Sequence, residues 1–122
     1  MRILITGASG FLGAALSRAH ISAGDQVFAL QHASPLPPDL AGKVEALQGD
    51  LMAAEHRAWP TIDLLYHCAA LMADREDAPY AEFHRVNVEG TASLLRAARS
   101  MSLKRFVHVS SAGVLGPAPQ PN

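Results

Sequence analysis

The sequence is short of most features that mark a specialised chain. Cys68 is the one cysteine in 122 residues, so no intramolecular disulfide can form and a reducing compartment suits the chain. Neither sign of charge dominates: ten Lys and Arg stand against eleven Asp and Glu, giving a net charge of −1. So balanced a chain offers no basic field, and neither nucleic acid nor a membrane surface is expected as a partner. No apolar run approaches the roughly 18 residues of a membrane-spanning helix. The six histidines (His20, His32, His56, His67, His84, His108) show no paired metal-ligand spacing, so no metal is expected. Glycines interrupt the first apolar run at once, unlike a signal peptide, and the expected location is the cytoplasm. Internal repeats are absent as well.

What remains is an ordinary globular composition, with 49% hydrophobic and 17% charged residues. One domain over residues 1–122 follows from that length. Its most informative stretch is the beginning. Ile3, Leu4 and Ile5 make a short apolar run that stops at Gly7, and Gly10 and Gly13 complete the spacing T-G-x-x-G-x-x-G. A strand, a glycine turn and a helix in that order suit a dinucleotide phosphate. Gly7 permits the tight turn, Gly10 removes a side chain that would hold a pyrophosphate off the backbone, and Gly13 lets the helix pack close to the strand. The helix then offers free N–H groups and the positive end of its dipole. The plain alternative is a tight turn that binds nothing.

Periodicity predicts a helix over 11–23 with Leu12, Ala15, Leu16 and Ala19 on its buried stripe, and strands over 26–30 and 43–48. A Pro-rich loop at 34–38 separates those strands. A short helix over 52–59 should stop at Pro60, and a fourth strand should cover 62–68. The pattern from 77 to 100 predicts one long amphipathic helix, with Tyr80, Phe83, Val86, Gly90, Leu94 and Ala97 on its buried face and Glu82, Arg85, Glu89, Arg96 and Arg99 outside. A fifth strand follows at 105–109. Apolar strands separated by helices imply an α/β fold: a Rossmann-like doubly wound parallel sheet, strand order 3-2-1-4-5, truncated after the fifth strand.

Every chemically informative residue beyond the glycine loop then falls just past a strand's C-terminal end, where a doubly wound sheet gathers its ligand crevice. At the end of strand two, where an acid would bind ribose hydroxyls, stand Gln31 and His32. Gln31 can reach a ribose or be a plain loop residue, so NAD and NADP both stay open. Asp50 can accept from an adenine amino group beside the Leu51 backbone, or cap the following helix. Ala69 and Ala70 are small enough for a nucleotide to lie against them. Cys68 reads as a packing residue and His67 as a structural histidine. Asn87 lies near the apolar face of the long helix; facing inward it needs hydrogen-bond partners, which the strand-end loops can supply, and the alternative is a tolerated surface asparagine. Ser110 and Ser111 can donate to a substrate oxygen, although such a pair is also a turn signal.

Taken together, T-G-A-S-G-F-L-G at 6–13, G-D-L at 49–51, H-C-A-A at 67–70, N-V-E-G-T at 87–91 and V-S-S-A-G-V-L-G at 109–116 resemble the N-terminal half of an extended short-chain dehydrogenase/reductase, the NAD-dependent epimerase/dehydratase family. The resemblance implies that Gly7, Gly10, Phe11, Leu12 and Gly13 hold the pyrophosphate of NAD or NADP, that Asp50 and Leu51 meet the adenine, and that Ala69 and Ala70 line the ribose side. Asn87 would support the site. Ser111 matches the catalytic Ser/Thr of the family, four residues before Leu115, which stands where the family has a tyrosine.

Two departures carry consequences. Gln31 replaces the ribose-binding acid. The family's Tyr-x-x-x-Lys acid/base pair is expected beyond Asn122, so residues 1–122 should bind cofactor without turning substrate over. The function implied is hydride transfer on a sugar nucleotide or a similar hydroxyl or carbonyl compound; the alternative is a non-catalytic NAD(P)-binding redox sensor or regulatory module. An open edge on strand five would also permit a homo-oligomer.

Overall fold

A computed structural model describes residues 1–72 and 79–116. Five parallel strands form one sheet in the order β3-β2-β1-β4-β5: β1 (Arg2–Thr6), β2 (Gln26–Gln31), β3 (Glu45–Gln48), β4 (Leu64–His67) and β5 (Arg105–His108). The order is the one that the apolar pattern implies.

β1 is central because its side chains are apolar on both faces. Ile3, Leu4 and Ile5 are fully buried, and their alternation divides the core in two. Leu4 joins Phe28, Leu30, Leu65, Leu94 and Ala97 beneath the helices that follow β3 and β4. Ile3 and Ile5 face the other way, toward Ala14, Val27, Ala29, Leu40 and Val44. Leu40 belongs to the loop after the Pro-rich stretch, which thereby serves as a lid for that second core.

α1 (Phe11–Ser22) lies on the second face, and of the predicted stripe only Leu16 packs there. Its buried residues are Gly13, Ala14 and Ser17, while Leu12, Ala15 and Ala19 are exposed. Close approach explains the difference. A Cβ built on Gly13 would lie only 2.2 Å from the Gly7 carbonyl oxygen, so the helix meets the loop with its smallest residues, and Leu16 and Ile21 pack beside them on the same core. A short 3₁₀ helix (Leu51–His56) follows β3 and ends sooner than the predicted 52–59 segment.

The helix after β4 begins, among the described residues, at α2 (Tyr80–Phe83); the predicted start at 77–78 lies outside them. It continues through a π-helical stretch (His84–Gly90) into α3 (Thr91–Ser100). Gly90, Leu94 and Ala97 are buried as predicted, yet Tyr80 is 80% exposed. The wider π turn inserts an extra residue and shifts the phase of everything before it, so a pattern read as one uniform α-helix misplaces Tyr80.

Candidate functional site

The C-terminal ends of β1 to β5 bring their loops to one rim of the sheet. At its centre is the glycine loop. Gly7 has φ +73°, and a Cβ there would stand 2.7 to 2.9 Å from backbone atoms of Cys68 and Ala69. The β1 loop and the β4 loop therefore touch backbone to backbone, and only glycine fits between them. The Gly7 carbonyl accepts from the Gly10 amide at 3.0 Å, which closes the turn.

Gly10 is the residue before the first turn of α1, and among the described residues no side chain caps that turn. Among the described residues its surroundings are open: a Cβ would meet only the Gly7 oxygen, at 3.4 Å. Phe11 is 96% exposed and Leu12 41%. An uncapped helix start with open space above a glycine has the donors and the room that a diphosphate requires. These residues fit the cofactor that the sequence implies.

Asp50 does two things. Its Oδ1 accepts from Met52 N at 3.1 Å, capping the 3₁₀ helix, while Oδ2 lies 4.0 Å from His32 Nε2 and 3.8 Å from Arg85 Nη1. Leu51 packs into the core, leaving its backbone as the part that could meet a base. Gln31 is engaged by its neighbours: Nε2 donates to the Ser34 carbonyl at 3.2 Å, and Oε1 accepts from Gln48 Nε2 at 3.3 Å.

Asn87 sits within the π stretch and holds both backbone groups of Leu71, accepting from its N–H at 2.7 Å and donating to its carbonyl at 2.9 Å. The wide turn is what aims it at the loop after β4, where Ala69 is half-buried and Ala70 exposed. Replacing Asn87 with alanine is expected to cost about 2 kcal/mol, since Leu71 loses two bonds, and to speed amide exchange at Leu71 more than at residues of β1. Equal exchange rates would show that the loop is held by something else.

Ser111 caps a short 3₁₀ helix (Ala112–Leu115) by accepting from the Gly113 amide at 3.1 Å. That bond uses an oxygen lone pair and leaves the hydroxyl proton free for a further acceptor. Ser110 and Ser111 are both exposed. Cys68 is half-buried, and burial pushes its thiol pKa up, as expected of a packing residue rather than an activated thiolate.

Sequence reasoning named His67 as structural but missed its partners. Nδ1 is 2.7 Å from Thr6 Oγ1 and Nε2 is 2.8 Å from Thr91 Oγ1. Thr6 Oγ1 also accepts from the Ala69 amide at 3.2 Å. The available signal was a polar residue closing each of two apolar strands, Thr6 on β1 and His67 on β4. Among the described residues no group of His, Cys, Asp and Glu could hold a metal ion, and no helix is long and apolar enough to cross a membrane.

Comparison with known proteins agrees with this geometry. The family described as NAD dependent epimerase/dehydratase matches residues 3–122. A ketoreductase of Stigmatella aurantiaca, acting by its name on a 3-oxo-4-farnesyl-dihydroquinoline oxide, is 43% identical across 94% of this chain and 35% of its own length. Sterol demethylase protein B of Methylococcus capsulatus is 39% identical across 98% of this chain and 37% of its own. The chain thus spans little more than a third of these curated relatives. Among solved structures, MoeE5 in complex with UDP-glucose and NAD superposes with a TM-score of 0.82 at 30% identity, covering 97% of this chain and 39% of that one. A match across nearly every residue, on a sheet of the implied order, leaves one conclusion: the chain belongs to the NAD-dependent epimerase/dehydratase family.

Proposed function

We propose that residues 1–122 form the dinucleotide-binding portion of an oxidoreductase that moves a hydride between NAD or NADP and a carbon bearing a hydroxyl or carbonyl group. The open, uncapped start of α1 above Gly10 is the observation that carries this reading. Gly7, Gly10 and Gly13 shape the cradle, and the amides of Phe11 and Leu12 would meet the pyrophosphate. Asp50 and the Leu51 backbone would receive the adenine. Ala69 and Ala70 would border the ribose, with Asn87 holding their loop. Ser111, whose hydroxyl proton has no acceptor among the described residues, would donate to the substrate oxygen. When bound, the nicotinamide ring accepts or returns the hydride.

The substrate class follows the relatives' names. One relative is by name a ketoreductase of an oxo compound, and MoeE5 was solved with UDP-glucose and NAD; a sugar nucleotide or a comparable alcohol or ketone is the proposed partner. The regulatory-module reading would share every phosphate-loop residue and needs no Ser111 donor; it becomes the better one if the chain binds dinucleotide and Ser111→Ala leaves the activity of the protein containing it unchanged.

The test is a fluorescence titration with NADH and NADPH. Saturable binding is expected, and Gly10→Val should weaken it at least tenfold while costing the fold only about 1 kcal/mol, the size of an N-cap substitution, since among the described residues a Cβ there meets only the Gly7 oxygen, at 3.4 Å. No saturable binding, or equal binding by the variant, would reject the proposal. β5 pairs with β4 alone among the described residues, so self-association through its outer edge is also proposed. A single monomeric mass by light scattering at high concentration would contradict that part.

A further inference from the structure

Two loops form the walls of the candidate crevice, and one buried side chain ties both to the helix behind them. His67 is 1% exposed at the end of β4, in register with Thr6 at the end of β1. Thr6 is the residue before Gly7, and Thr91 is the first residue after the π stretch that carries Asn87. A single imidazole therefore spans from the root of the phosphate loop to the root of the Asn87 turn.

The hydrogen positions follow from counting partners. Thr6 is 1% exposed, and its oxygen already accepts from the Ala69 amide. The hydroxyl proton has His67 Nδ1 to go to, at 2.7 Å. Nδ1 is then an acceptor, so the ring proton of the neutral imidazole is on Nε2 and is donated to Thr91 Oγ1, 2.8 Å away. The resulting relay runs Ala69 N–H to Thr6, Thr6 to His67, and His67 to Thr91. It crosses the junction where Gly7 and the Cys68–Ala69 backbone are in closest contact.

Building on the dinucleotide reading above, we propose that His67, neutral and protonated on Nε2, is a positioning residue that sets the gap between the β1 loop and the β4 loop, and through that gap the affinity for the dinucleotide. It touches no substrate or cofactor atom; it acts through Thr6, Ala69 and Thr91. Among the described residues the titratable group facing it is His108 on β5, with ring centroids 5.2 Å apart; its partners on β1 and α3 are threonines.

Three substitutions in the chain test the proposal, each with its dissociation constant for NADH and its unfolding free energy measured together. Thr91→Val keeps the shape of the side chain and strands the Nε2 proton; it should weaken NADH binding about fivefold, the size of one lost hydrogen bond. Thr91→Ser keeps the hydroxyl and should restore wild-type affinity. Val44→Ala, in the core on the opposite face of the sheet, should lower stability while leaving affinity unchanged. Ring ¹⁵N spectra should show the Nε2-protonated form of His67.

If Thr91→Val binds as tightly as wild type, or Val44→Ala weakens binding as much, the positioning role is wrong while the dinucleotide reading survives. A ring protonated on Nδ1 overturns the relay in the same way. If the wild-type chain binds no NADH, both fall together.

Discussion

Gly13→Ala should lower the unfolding free energy by about 3 kcal/mol and abolish measurable dinucleotide binding. The cause is space. The added methyl would lie 2.2 Å from the Gly7 oxygen, 2.7 Å from the Gly7 carbonyl carbon and 2.9 Å from the Ala8 Cα, all of them backbone atoms. A flexible side chain could swing aside; a turn closed by the Gly10 N–H to Gly7 bond cannot without breaking that bond. The helix must lift off the loop, which moves its first amides and opens the Ala14 and Ser17 contacts beneath it. Urea unfolding checks the first half of the prediction and NADH titration the second. An alanine variant as stable as wild type would mean that the loop and α1 are not packed as described.

The second large effect is on acid stability. Burial lowers the His67 pKa from 6.5 to about 4, with a smaller push from His108. The unfolded chain binds a proton at this histidine below 6.5, whereas the folded chain does so only near 4. Between those values the unfolded state holds more protons, so stability falls as the pH falls. Above 6.5 the full stability is present; by pH 4 roughly 3 kcal/mol is gone. The paired carboxylates act lower. Asp63 is held below the usual carboxylate range by Lys104 and by the Arg2 amide, and Glu55 by Arg96, so their contributions fade only as they themselves protonate. Unfolding free energies from pH 7 to pH 4 should therefore slope in wild type and lose most of that slope in His67→Gln, which has no group to titrate. Parallel curves for the two proteins would place the acid sensitivity elsewhere.

Much of the fold was legible because β1 is unusually plain. Three consecutive apolar residues ending at a glycine leave few alternatives to a central buried strand, and the sheet order follows from alternating strands and helices. Asn87 was legible for the same kind of reason, a polar residue on the inward phase of a helix. On the α1 stripe Leu16 packs as expected, but Leu12, Ala15 and Ala19 were misread because hydrophobicity was taken as the sign of burial, whereas the Gly7 contact demands small residues. Tyr80 was misplaced because nothing in the spacing from 77 to 100 announces a π turn. The threonines around His67 went unnoticed since hydrogen bonding between residues 61 and 24 positions apart leaves no local pattern.

The central claim is that the backbone at the start of α1 cradles a diphosphate. The most direct measurement is an NMR titration of the chain with NADH, following backbone amides. The account predicts that Gly10, Phe11, Leu12 and Gly13 shift most, with Ala69 next, and that Gly42 and Lys43 at the far end of the sheet stay still. Amides of the glycine loop that remain unmoved at saturation, or shifts gathered elsewhere, would contradict it.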